Sequence, residues 1–561
     1  MGNLGNGECR VDFVDVAIIM GHWLEEYGPL GTIDFQSIMK KRLSRRVFLK
    51  ITGFASVVGA GGCSKASAGS AQSKTLPDPV LAYRRVVKSK DIKTYSQAAL
   101  NLRKWMMKND PHYPIYHFTA PESWINDPNG PIYYKGKYHL FYQFDPQVDD
   151  GKGGWKRSKR TWGHAVSEDL VHWQDWPVAV WPDTKYDING VYSGNTFING
   201  NGDLCGLYTG NVGGHRETYG MLVRSKDNGA TWEKKMVMDD SQRPNPGSPV
   251  HWDGQVWKHS NLWYQLVGGR TGGEKPQGAA WLWTSSDLEQ WTLQKNIAPS
   301  IKKSHYWELP YLIELDGKYA LFVGSGNPYW LGDFDYKTMI FTPDSEAPRS
   351  VDSGHYYSFN VNMTDDRGPA GQQRQLMHGW VRMKRPPKVP NVPYWEQAHS
   401  IPRVINVRDG KRLWQEPIPE LEVLRGKHVH LPKSKQANLD AVKGDALEIS
   451  ASVKLGTDGR LVLGVRASDD GKSYTPVYLD AAKGTFGIDD RSQPIDLPTD
   501  DVNTLRVFID RSIIEVYVNG YAITFVGYPD PDHQGLCIIE KNPAVNIESI
   551  DIWEMKSMWD T

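Results

Sequence analysis

Two textures of hydrophobic alternation fill most of the chain, and a helical stretch precedes them. From 112 to 428, short aromatic runs alternate loosely with polar positions and break at turn residues. Tyr133 to Phe144 is one example and predicts a strand hairpin turning at Lys135-Gly136-Lys137. From 429 to 561 the alternation becomes Val- and Ile-rich, in runs such as GRLVLGVRAS, YTPVYLD and LRVFIDRSIIEVYVNGYAITF. Turns at Asp470-Gly471, Asp510-Arg511 and Asn519-Gly520 separate these runs, which together predict a β-sandwich. Its acidic residues are expected to solvate strand faces. Residues 79–111 have helix-forming composition and predict a helical lead-in packed outside the domain that follows.

The first texture also repeats. Ser167-Glu168-Asp169-Leu170-Val171-His172-Trp173 recurs from Ser225 to Trp232 and again from Ser285 to Trp291, with the serines 58 and 60 residues apart. That period, with short aromatic strands between turns, indicates radially repeated four-stranded blades. Some three hundred residues at roughly sixty per repeat give about five blades. The expected fold is therefore all-β, a five-bladed β-propeller followed by a C-terminal β-sandwich. In each repeat the Asp should cap a turn and the Trp should lock that turn into the blade core.

Composition narrows the function. Charge is balanced at 65 basic and 65 acidic residues, so nothing points to nucleic acid or an anionic membrane surface. The excess lies in Trp (22), Tyr (27) and Gly (54), which suits aromatic surfaces that bind carbohydrate. Four scattered cysteines provide neither a disulfide framework nor a zinc site, and no apolar run is long enough for a transmembrane segment. Residues 1–38 resemble half of a dockerin repeat, with Asn6, Glu8, Asp12 and Asp15 at calcium-ligand spacing. Leu4 and Cys9 occupy positions that a working loop fills with an acid and a glycine, so the fragment reads as degenerate. Residues 39–78 combine a twin-arginine-type export signal, carried by Ser44-Arg45-Arg46-Val47-Phe48-Leu49-Lys50, with a linker. Met39 reads as the natural start, and Cys63 as a candidate for lipidation.

Candidate chemistry gathers on three acids in strand-edge settings with aromatic neighbours. Asp127 lies in Trp124-Ile125-Asn126-Asp127-Pro128-Asn129-Gly130, where Pro presets φ and Gly permits positive φ. Asp253 follows Trp252 in PVHWDGQVWK, and Glu308 lies between Trp307 and Leu309 in HYWELPYL. Cleaving a glycosidic bond with retention needs two carboxyls roughly 5 Å apart, one ionised and one protonated. A propeller can supply them from different blades, because its inner strands converge on one funnel. Each acid also has a structural alternative: a surface Asp-Pro turn for Asp127, a turn for Asp253, and an ion pair for Glu308.

The heptad around Asp127, the Asp-Gly-x-Val-Trp-Lys segment at 253 and the Trp-Glu-x-Pro segment at 307 resemble motifs of glycoside hydrolase family 32, the β-fructosidases (invertases, levanases, inulinases and relatives). The likeness spans about residues 112 to 555 and includes the nearly unmodified WGHAVSEDLVHW from Trp162 to Trp173. It implies a retaining exo-hydrolase releasing terminal β-fructosyl units from sucrose or fructans. Asp127 would be the nucleophile, Glu308 the acid/base and Asp253 the transition-state stabiliser. Asn126, Gln143, Trp162, Tyr192, Ser193 and Trp395 would contact substrate. No metal or other cofactor is implied, since a neutral carboxylic acid supplies the proton. The sequence departs from the family where Trp252 replaces an Arg, Gly254 a Pro, Leu309 a Cys and Tyr311 an Asp. Those departures leave two alternatives open: a same-fold hydrolase acting on arabinan or xylan, and a non-catalytic fructan-binding protein. Oligomeric state is not encoded in any motif.

Overall fold

The computed structural model describes residues 76–560, apart from 215–216, 245–249, 303–305 and 500. The dockerin-like fragment, the twin-arginine signal and Cys63 lie outside the described residues. Two helices open the described chain, α1 (Asp78–Val86) and α2 (Ile92–Asn109). The Asp91 carboxylate caps α2 by accepting from the Thr94 amide at 2.8 Å. Both helices are pinned to the first blade by buried bidentate ion pairs. Arg84 on α1 meets Glu122 (2.8 and 2.7 Å), and Arg103 on α2 meets Asp175 (2.6 and 2.8 Å). The Arg103 guanidinium also lies 3.7 Å from the ring centroid of Trp559, so α2 clamps the chain's far end as well. Among the described residues no helix is long and apolar enough to cross a membrane.

Five antiparallel sheets follow, each built on a four-stranded path, and they form a five-bladed β-propeller. Their first strands are Ser123–Pro128, Gly190–Ile198, Gln255–His259, Pro310–Leu315 and Tyr356–Asp365. The ring is closed by a short parallel pairing in which Ser123 and Trp124 of the first blade align with Trp395 and Glu396. The expected hairpin joins strands Ile132–Tyr134 and Lys137–Asp145 through Lys135 and Gly136, both at positive φ (48° and 82°), the geometry of a type I′ turn.

The repeated motif behaves as its sequence predicts. Asp169 Oδ1 accepts from the Val171 and His172 amides, and the Trp173 indole donates to the Leu170 carbonyl at 3.0 Å. Trp232 donates to Gly229 and Trp291 to Leu288 in the same way. Leu170, Gly229 and Leu288 share positive φ, so one turn recurs between the third and fourth strands of three successive blades.

The β-sandwich pairs a six-stranded sheet with a five-stranded one around an aliphatic core that includes Leu447, Val465, Val507 and Ile552. Two of its acids correct the expectation that they solvate strand faces. Asp510 and Glu515 are fully buried, because they satisfy the propeller's first segment. Asp510 accepts from the Ile115, Tyr116 and His117 amides at 2.8, 2.9 and 2.7 Å. The His117 imidazole bridges Asp510 (2.9 Å) and Glu515 (3.2 Å), while Arg403 joins Glu515 to Asp352 at 2.9 Å on each side. Charges this deep persist only when paired and hydrogen-bonded, which fixes the sandwich against the propeller.

Candidate active site

The candidate acids stand at corresponding places in three of the five blades. Asp127 is in the first strand of blade one, Asp253 just precedes that of blade three, and Glu308 just precedes that of blade four. Blades two and five complete the funnel with Ser193 and Ser358. The pairing register breaks between Ile125 and Pro128, between Val191 and Gly194, and between Tyr357 and Asn360. Such bulges bend a strand and re-aim its side chains, and here they turn Asp127, Ser193 and Ser358 toward one another.

A buried amide network beneath the acids holds the blades together. Asn195 of blade two donates to the Asp253 carbonyl at 3.1 Å. Asn360 of blade five donates to Asn195 Oδ1 at 2.7 Å and to the Tyr311 hydroxyl of blade four at 2.9 Å. His399 donates from Nε2 to the Asn126 carbonyl at 2.6 Å, fixing the backbone before Asp127; burial keeps this imidazole neutral, with a pKa of about 4.

The Asp127 carboxylate is 7 % exposed, and its Oδ2 accepts from Ser193 Oγ at 2.5 Å. Ser193 in turn accepts from Gln143 Nε2 at 2.7 Å, so that hydroxyl can only aim its proton at Asp127. Burial pushes Asp127 up to about 6, while the Ser193 hydrogen bond, the Arg160 charge and Ser358 hold it below where burial alone would leave it. Glu308 is pushed up to about 7, first by burial and then by the charge of Asp127. Its side chain is still 34 % exposed, so it reaches the open funnel. Asp253 is raised well above the carboxylate range by burial and by the charges of Glu308 and Asp127. These mutual effects place the three acids within electrostatic reach of one another and oppose their all being ionised together. An acid of lower pKa beside one of higher pKa is the arrangement that double displacement uses.

The other expected contact residues divide. Tyr192 borders the funnel, with its ring beside Arg160 and His251. Asn126 is partly buried near Asp127, and its Oδ1 has no hydrogen-bond partner among the described residues. Trp162 and Trp395 are corrected. Trp162 is fully buried and donates to the Tyr192 carbonyl at 2.9 Å, so it supports the strand carrying Ser193 and has no surface for a sugar. Trp395 is also buried; it packs on Tyr113 and donates to Asp110 at 2.8 Å on the side facing the lead-in.

The two departures around Asp253 have physical causes. Trp252 is fully buried against Trp283, in a T-shaped contact with centroids 5.5 Å apart, so its side chain points into the core. Gly254 lies so close to the next strand that a Cβ there would sit 1.4 Å from the Leu266 carbonyl oxygen. Sequence reasoning missed His251, Arg160, Ser358 and Tyr357, whose hydroxyl pKa is pushed up by burial and by the charges of Glu308 and Asp127. Arg160 lies over the rings of Trp124 and Tyr192 (4.9 and 5.2 Å) at the edge of the funnel.

Comparison with known proteins matches this architecture. The family model "Glycosyl hydrolases family 32 N-terminal domain" matches residues 117–417, and "Glycosyl hydrolases family 32 C terminal" matches 420–554. The chain is 30% identical over 512 residues to a levanase of Bacillus subtilis (strain 168), covering 81% of this chain and 72% of that protein. It is 28% identical over 480 residues to a sucrose-6-phosphate hydrolase of Escherichia coli, covering 79% and 95%. In fold it resembles fructan 1-exohydrolase IIa from Cichorium intybus, with a TM-score of 0.67 at 23% identity over 80% of this chain and 98% of that one.

Proposed function

The chain belongs to glycoside hydrolase family 32 and is a hydrolase of the β-fructosidase type, and we propose that it releases terminal β-fructosyl units from sucrose or fructans by double displacement. Ionised Asp127 attacks the anomeric carbon of the fructosyl unit. As the glycosidic bond breaks, Glu308 gives its proton to the departing oxygen. A water then attacks the same carbon, Glu308 takes a proton from that water, and the bond to Asp127 breaks to release fructose. Asp253 holds ring hydroxyls and supports the oxocarbenium-like transition state, with Tyr192 and Asn126 as further sugar contacts.

The observation carrying this assignment is the meeting of Asp127, Asp253 and Glu308 from three blades, with Asp127 accepting from Ser193 Oγ at 2.5 Å and Glu308 raised by burial and by the charge of Asp127. The Ser193 hydrogen bond and the Arg160 charge favour the ionised form of Asp127, and the charge of Asp127 in turn favours the protonated form of Glu308. Asp127→Ala and Glu308→Gln variants, assayed for released fructose on sucrose, inulin and levan, test it. Both should lose at least about a thousandfold in turnover, the scale of a missing nucleophile or acid. Substantial turnover by Asp127→Ala would reject the nucleophile assignment. The same product analysis tests the pentan-active and non-catalytic alternatives, since released pentose or no released sugar would replace fructose.

We also infer export, on the strength of the Ser44 to Lys50 motif, with Cys63 as a lipid site. Fractionation of cells expressing the full chain and an Arg45→Lys/Arg46→Lys variant tests the export, and labelling with a radioactive fatty acid tests Cys63.

A further inference from the structure

Glu308 reaches the funnel with little to aim it. Its amide donates to Ser325 at 3.2 Å and its carbonyl accepts from Gly324 at 3.0 Å, which fixes the backbone only. Among the described residues no side chain donates a hydrogen bond to its carboxyl. An acid that must present a proton to one departing oxygen loses rate when its carboxyl can swing.

His251 lies where such aim would come from. Its Nδ1 is 3.7 Å from Glu308 Oε1 and 3.9 Å from Asp253 Oδ2, almost midway between the two carboxyls. The side chain is 13 % exposed, with the rings of Tyr192 and Tyr306 edge-on to it at 6.5 and 6.0 Å. Successive side chains of extended backbone alternate in direction. With Trp252 turned into the core, His251 and Asp253 are both delivered to the funnel. The motif position expected to hold a guanidinium therefore contributes packing, and its neighbour contributes the polar group.

Resting on the hydrolytic reading above, we propose that His251 is a positioning residue for Glu308. With the proton on Nδ1, a ring shift of under about 1 Å would turn the longer approach into a hydrogen bond. The imidazole would then hold the Glu308 carboxyl toward the glycosidic oxygen, and would support it as a carboxylate after its proton has left. Its other near neighbour, Asp253, keeps the ring from rotating out of the funnel.

The test compares two leaving groups in His251→Ala and His251→Gln. Sucrose needs its departing oxygen protonated, whereas 4-nitrophenyl β-fructofuranoside departs with little help. A misaimed Glu308 therefore slows the first far more than the second. In His251→Ala the loss of kcat/KM should be at least about ten times larger on sucrose than on the aryl fructoside. His251→Gln, which keeps a donor, should recover most of the sucrose loss. A ratio of losses near one, whether both losses are large or both negligible, would overturn the proposal. Should His251→Ala not fold, as judged by its melting transition, His251→Phe keeps the ring's bulk and is read by the same ratio. Failure here would leave Asp127→Ala and Glu308→Gln inactive, whereas failure of the hydrolytic reading would show as fructose release surviving in those two variants.

Discussion

Removing the Ser193 hydroxyl isolates one of the forces that set the pKa of Asp127, the proposed nucleophile. Ser193 Oγ donates to Asp127 Oδ2 at 2.5 Å inside a site where the carboxylate is 7 % exposed. A hydrogen bond to a charged group is worth about 1.5–3 kcal/mol, and one pKa unit corresponds to about 1.4 kcal/mol. Arg160 and Ser358 remain beside Asp127, so the lower end of that range applies and Ser193→Ala should raise Asp127 from about 6 to roughly 7. The acid limb of kcat/KM, which follows ionisation of Asp127, then moves up by about one pH unit. The alkaline limb, which follows loss of the Glu308 proton, stays near its original place. With limbs at about 6 and 7, the correctly protonated fraction at pH 5.5 is about one quarter; with both near 7 it is about 3 %. The variant should thus lose roughly eightfold from protonation alone at pH 5.5 and almost nothing at pH 8. Initial rates at substrate concentrations well below KM, from pH 4.5 to 9, give the profile directly. A loss of equal size at every pH would mean that Ser193 acts through geometry alone, and a displaced alkaline limb would mean that the two titrations are assigned the wrong way round.

Asp127→Asn should stabilise the fold while abolishing turnover. The buried carboxyl's raised pKa makes a destabilisation that grows from about pH 4 to about pH 6 and is complete above that, up to about 3 kcal/mol, so the gain in melting temperature should appear at pH 8 and vanish near pH 4. His117, raised to about 9 between Asp510 and Glu515, contributes stability fully present below about pH 6.5 and lost as pH rises through 9. His117→Gln should therefore melt well below the unaltered protein at pH 6, with the gap narrowing by pH 9.5; a gap independent of pH would deny the buried imidazolium. Trp252→Arg should not restore a sugar contact; it would bury an unpaired charge against Trp283 and cost several kcal/mol, read as a lower denaturant midpoint. Gly254→Pro should fail similarly, because any Cβ there meets the Leu266 carbonyl.

Blades and sandwich were legible because each repeats a local rule. The alternation sets the strands, and the Ser-Asp-Trp turn recurs with the same indole-to-carbonyl hydrogen bond. Asp127 stood out for a similar reason, since its heptad is dense in turn residues and aromatic rings. What the sequence hid is direction. Trp162 and Trp395 belong to segments that surround the funnel, but both face the core, and nothing in their local spelling says so. Bulges near Asp127, Ser193 and Ser358 break the simple period of two, so counting along the strand misplaces faces where the chemistry lies. His251 has no local signal of its own, since the motif places its expected cation at residue 252. Asp510 and Glu515 looked like ordinary strand acids, since a partner nearly four hundred residues away leaves no local trace.

The short parallel pairing that closes the propeller carries a consequence for when the protein can work. The strand bearing Asp127 is clasped by Trp395 and Glu396, which a ribosome delivers only after three further blades and the first two strands of the fifth have been made. A nascent or truncated chain ending before that clasp would have the Asp127 carboxylate but not the closed ring that completes its seat. Hydrolytic competence should therefore arrive in one step, late in synthesis, and leave no partially active fragment to be released.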